Sequence, residues 1–101
     1  MLVLAGGTVE TTQFVLGQRD IIALRFPAST ETPPLVVKGQ AKLGMWSYVM
    51  PVDGDKAAPG RYPVARFLGP VEDNGLGLES GVDKSKWAFE FDDKVLYLVR
   101  K

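Results

Sequence analysis

The stretch Trp87-Ala-Phe-Glu-Phe-Asp-Asp-Lys-Val-Leu-Tyr-Leu-Val-Arg100 sets the terms for the whole chain. Two runs rich in aromatic and β-branched residues flank a short polar turn at 92–94, the pattern of a β-hairpin. The first run alternates, with Trp87, Phe89 and Phe91 on one face and Ala88 and Glu90 on the other. The second run does not. Val95, Tyr97 and Val99 point one way while Leu96 and Leu98 point the other, and a strand apolar on both faces belongs inside a sheet. A three-residue turn would set Trp87, Phe89 and Phe91 opposite Val99, Tyr97 and Val95; a two-residue turn would set Trp87 and Phe89 beside Leu98 and Leu96. In either register the second face needs cover, from the rest of the chain or from a neighbouring subunit.

Working outward, residues 69–86 are rich in glycine and carry Pro70 and charges of both signs, so they read as surface loop with room for one short strand at 76–78. Residues 61–68 read as a strand, and Pro63 denies a ladder donor, which places the start of that strand at a sheet edge. The sequence from Asp55 through Pro59-Gly60-Arg61-Tyr62 resembles the loop-to-strand passage of immunoglobulin-like sandwiches. There a tyrosine early in a late strand bonds back to the loop before it, the tyrosine corner. The resemblance spans about eight residues and implies sandwich architecture alone.

Residues 35–50 run without a strong breaker and are too long for one ordinary strand. Leu35, Val37, Ala41 and Leu43 share one parity; past Gly44, Trp46, Tyr48 and Met50 fall on the other. Either Gly44 marks a bulge or bend that carries the strand into another sheet, or the three side chains stay outside as a patch. Earlier still, residues 2–4, 8–16 and 21–26 read as strands: Thr8, Thr11 and Thr12 disfavour helix, and Ile22, Leu24 and Phe26 alternate with Arg25. The polar turn at 17–20 reads as the tip of a second hairpin. No internal repeat is evident at a period of 20 to 50 residues. The expected fold is all-β: an antiparallel β-sandwich, with an immunoglobulin-like arrangement as one form, or a partly open β-barrel of seven to eight short strands in one domain covering residues 1–101.

Composition excludes much chemistry. The 101 residues are 46% apolar, and twelve basic side chains balance twelve acidic ones, so nothing draws the chain electrostatically to nucleic acid or an anionic membrane. Without cysteine or histidine there are no disulfides, thiolate nucleophiles, imidazole bases or customary zinc ligands. The five apolar residues before Gly6-Gly7 are too few for a secretory signal and no window reaches membrane-span length, so synthesis in a cytoplasm is expected.

Asp53-Gly-Asp55 and Glu72-Asp-Asn74 lack the spacing of an oxygen-ligand calcium loop and read as turns; no cofactor or metal is expected. Glu90 alternates outward and reads as a cross-strand partner for a lysine or arginine. The expected function is non-enzymatic: a structural or interaction protein, repeated in a larger assembly such as a viral capsid-decorating (cement) or tail-associated protein. Its partners would be copies of itself or a capsid protein. The candidate contact residues are Trp46, Tyr48, Met50, Glu72, Asp73, Leu76 and Leu78. The alternative is a small barrel binding single-stranded nucleic acid or a regulatory protein, through Trp46, Tyr48, Lys38, Lys42 and Arg66.

Overall fold

Short apolar runs, each stopped by glycine, proline or a polar pair, form twelve strands in a computed structural model that describes all 101 residues. They are β1 (Leu2–Leu4), β2 (Val9–Thr11), β3 (Phe14–Leu16), β4 (Ile21–Arg25), β5 (Leu35–Val37) and β6 (Ala41–Leu43). Then follow β7 (Tyr48–Val52), a 3₁₀ turn at Gly54–Lys56, β8 (Gly60–Phe67), β9 (Val71–Asp73), β10 (Gly77–Leu78), β11 (Trp87–Asp92) and β12 (Val95–Arg100). All-β character is as expected. The pairing is not.

The strands fall into three sheets, ordered β1-β4-β7-β10, β3-β6-β9 and β11-β12-β8-β5-β2. Every pairing is parallel except β11 with β12 and β12 with β8. The chain therefore lays one strand in each sheet, turns a corner into the next, and returns one circuit later beside its own earlier strand. This is a three-sided coil of parallel strands, a short β-solenoid, and its last circuit is replaced by an antiparallel hairpin. The antiparallel sandwich or barrel expected from the sequence gives way to it. Parallel neighbours cannot be joined by a tight turn; here each reaches its partner by way of the other two sheets.

Corners decide this outcome. At 17–20 the Asp20 carboxylate accepts the Gly17 N–H at 2.8 Å, and Arg19 takes a left-handed conformation with φ 65°. The chain turns aside there instead of folding back, so β3 and β4 are unpaired with one another and the expected second hairpin is absent. At Gly44 the bend reading holds: β6 and β7 lie in different sheets. Trp46 sits at φ 57°, and the buried Ser47 hydroxyl donates to the Gly44 carbonyl at 2.8 Å. A Cβ at Gly44 would lie 2.6 Å from the Leu16 carbonyl oxygen of the circuit before.

A repeat hidden in the residue identities emerges in the backbone. Phe14 pairs with Ala41 and Ala41 with Val71, steps of 27 and 30 residues. Two positions on, the aligned residues are Leu16, Leu43 and Asp73, which no identity search would join. Glycines mark the corner between the second and third sheets: a Cβ at Gly39 would collide with the Thr12 carbonyl oxygen, and one at Gly69 with that of Gly39.

Inward side chains stack in rows along the coil. One row runs Val9, Leu35, Ala65, Leu96, Phe91 across all five strands of the largest sheet. Its middle members are almost wholly buried, and burying a leucine contributes roughly 1.5–3 kcal/mol. Where the hairpin meets the coil, the Phe26 ring sits edge-on to Tyr62 at 4.8 Å and tilted against Trp87 at 5.4 Å. The Tyr62 hydroxyl donates to the Ala58 carbonyl at 2.6 Å, the local bond that the tyrosine-corner resemblance implies, present without a sandwich.

The hairpin turns on two residues, Asp93 and Lys94, both at positive φ. Phe89 faces Leu98, Phe91 faces Leu96 and Trp87 faces Arg100, a register displaced by two residues from the two-residue pairing expected. Residues 60–63 of β8 pair with β12 alone, because pairing to β5 begins at Ala65; Pro63 thus lies where no donor is missed on that side. Part of the hairpin's outer face is covered from within the chain. Arg61 lies over the Tyr97 ring at 4.2 Å and donates to Glu90 at 2.6 Å and Asp92 at 3.0 Å, spanning the central strand.

Candidate interaction surface

Every circuit's inward row is covered by the next circuit, except at the N-terminal end. There Leu2, Leu4, Val9, Thr11, Phe14 and Leu16 are in register with buried residues of the second circuit, and no strand lies on their other side. Of nine large apolar residues exposed on the molecule, five belong to this first circuit: Met1, Leu2, Val3, Val9 and Val15. Val9 is 60% exposed although it continues a core row, and Val15 is 67% exposed. Between β1 and β2 the end opens as a groove of about 310 Å³, lined by Leu2, Leu4, Val9, Thr11, Phe14 and Leu35.

The same end leaves backbone unpaired. Val9 N–H donates to the Pro34 carbonyl and the Thr11 carbonyl accepts from Lys38 N–H, so residues 9 and 11 face β5. The peptide groups of Glu10, between them, point toward the open side. By the same alternation those of Val15 point away from β6, since Phe14 N–H and the Leu16 carbonyl bond toward it. Charge on this face is spent locally: Glu10 pairs with Lys38 at 2.7 Å, and Asp20 holds the Gly17 N–H.

The opposite end is different in kind. Its edge strands are β9, carrying Glu72 and Asp73, the two-residue β10, and β11, whose Glu90 and Asp92 are bonded to Arg61. Short length and charge are how proteins keep sheet edges from pairing. The two carboxylates also hold the Arg61 guanidinium well above its ordinary range, the Glu90 hydrogen bond most strongly.

The residues singled out from the sequence lie on adjoining backbone, since β10 pairs with β7 and Gly75 sits beside the Trp46 N–H, but their side chains divide between core and surface. Trp46 stands half-exposed at a corner with Arg19 6.0 Å from its ring; Tyr48 and Met50 are half-buried on β7, on either side of the buried Val49. Glu72 and Asp73 lie exposed on β9, and Asp73 accepts the N–H groups of Gly75 and Leu76. Leu76 is buried in the core and Leu78 packs against it. The five residues of the nucleic-acid alternative are spread over all three sheets and a corner, and Lys38 is already paired with Glu10. The first circuit was missed as a surface, although its signal was present: successive apolar residues in Leu2-Val3-Leu4 and Phe14-Val15-Leu16 leave no polar face for solvent.

A cleft of about 320 Å³ beside Trp87 is lined by Asp55, Glu79, Asp83, Lys86 and Arg100. Most of these side chains are engaged in shaping their own loops. Asp83 accepts from the Ser85 hydroxyl at 2.6 Å and its N–H at 2.9 Å, which lowers the carboxyl below its ordinary range. Glu79 accepts from the Gly81 N–H, and Arg100 donates to the Lys101 carbonyl. No group of three or more acidic, histidine or cysteine side chains is placed to hold a metal, and no helix is long and apolar enough to cross a membrane. No family model matches the chain, and neither a curated protein nor a solved structure does.

Proposed function

We propose that the chain is a non-enzymatic structural or interaction protein that works by burying the open end of its coil against another protein surface. It would act as a repeated subunit of a larger assembly, of which a viral capsid-decorating or tail-associated protein is one form. The observation that carries this reading is the concentration of exposed apolar side chains on a circuit whose three strands all lack an outer neighbour. Such an edge accepts a further layer by strand addition, with main-chain bonds supplying affinity and inward pockets supplying specificity.

Amide hydrogen exchange on the chain diluted to its monomer and on the chain in its assembled state tests this. Protection gained at residues 2–16 is the expected result. Protection gained only at residues 46–50 or 72–83 would move the working surface to the corner or the β9–β10 loop and sink the proposal.

A further inference from the structure

We infer that the occupant of the open end is a second copy of this chain, joined head to head in a closed two-fold dimer; the inference rests on the reading of that end as the working surface. Three observations select a copy. The first is area: the exposed fractions of Met1, Leu2, Val3, Val9 and Val15 leave on the order of 450 Å² of apolar surface per copy. Two such faces together bury about 900 Å² of apolar surface, close to the roughly 1,000 Å² of total area at which specific pairing begins, before the polar rim is added.

The second is charge. Glu10 is already paired with Lys38, and no charged side chain lines the groove between β1 and β2, so the mouth asks for no oppositely charged partner and two of them meet without strong repulsion. The third is the other end of the molecule. Its edges are short or acidic and are overlaid by the hairpin, so an open head end finds no matching tail and head-to-tail stacking is blocked.

A two-fold axis perpendicular to the coil fits these constraints. It reverses strand direction, so strands of the two first circuits meet antiparallel and the outward peptide groups of Glu10 and Val15 gain partners. The interface is isologous and therefore closes at two copies instead of growing into a fibre.

Sedimentation and light scattering on the full chain from about 1 to about 100 µM measure the association directly. The expected result is a dimer, weakened at least about tenfold by Val9→Lys, which places a charge in the buried mouth, with unchanged circular dichroism. Glu10→Pro removes an outward N–H donor and leaves the main-chain bonds inside the coil in place, and it weakens the dimer as well; Glu10→Gln, which loses only the exposed ion pair with Lys38, leaves the dimer unchanged. The chain has no cysteine, so nitroxides on single Thr12→Cys or Asp93→Cys variants report geometry. Head-to-head pairing gives a short distance at position 12 and one longer than 32 Å, the largest extent of a single copy, at position 93.

A monomer across the whole range overturns the second copy, as does an unlimited series of oligomers or close approach of the labels at position 93. Should the chain be monomeric, an apolar fluorescent dye bound to wild type and lost in Val9→Lys would keep the open end as a receiving face for another partner. A monomer that binds no dye would overturn both readings.

Discussion

The two ends of this coil face the same physical problem and meet it differently. A stack of parallel strands must stop somewhere, and each stop exposes a row of peptide groups and one uncovered layer of core. At the C-terminal end the chain turns back on itself, lays β12 antiparallel on β8, and seats Leu96 and Leu98 over the core. Acidic residues occupy the edges left over. On the side of the first circuit no strand of residues 1–101 lies over β1, β2 and β3, and Leu2, Val3 and Val9 stand exposed there, beside Val15 on the solvent face of β3. The difference teaches that closure is an added feature of this fold and not a consequence of its winding.

The contrast can be broken most directly by removing core from each end. Leu98→Ala, at a site with no exposed surface, is expected to cost about 2–5 kcal/mol in urea denaturation, while Val9→Ala in dilute protein costs less than about 1 kcal/mol. Equal losses would mean that the open end is as well covered as the closed one. Between the ends, Gly39→Ala presses a methyl group onto the Thr12 carbonyl and is expected to cost about 1–3 kcal/mol, with the first circuit loosened from the second. A smaller loss is expected for Tyr62→Phe, about 1 kcal/mol for the bond to Ala58, with the hairpin still in place by near-ultraviolet circular dichroism.

Smallest of all is a pH effect in the loop before β11. The Asp83 carboxyl is lower when folded than unfolded, so its contribution is complete above the ordinary carboxylate range and is lost as pH falls through the lowered value. Protection of the Ser85 amide, measured against its intrinsic exchange rate at each pH, should therefore fall on acidification, and Ser85→Ala should flatten that step only in part, because the backbone N–H of residue 85 still donates to Asp83.

Local structure was legible in the sequence to a degree that topology was not. Alternation located nearly every strand, and the parity change past Gly44 announced the bend. Glu90 found an arginine, and Tyr62 reached its loop carbonyl. Each of these signals is short-range. Period-two alternation says which face of a strand is buried but not which strand lies beside it, and a four-residue polar turn serves a corner as well as a hairpin. Residues 17–20 carry the turn chemistry that suggested folding back, yet β4 pairs with β1 and β7. Val71-Glu72-Asp73 was read as loop because it lies in a glycine-rich stretch with Pro70 and charges of both signs; it is an edge strand, a place that tolerates its two carboxylates. The open end escaped notice because a short apolar segment reads as core until its neighbours are counted.

The corner glycines hold a rule for lengthening the molecule. Gly39 rests on the Thr12 carbonyl and Gly69 on the carbonyl of Gly39, so the position works as a bearing on which one circuit is laid over the last. An inserted segment of some 27 to 30 residues, the span between aligned residues in successive circuits, should stack as an additional circuit if it keeps inward apolar residues and a glycine at that corner. Each insertion would extend the coil by roughly 4.8 Å. The chain is in that sense a ruler with its graduation mark already cut, and its length could be set by gene duplication without redesigning either end.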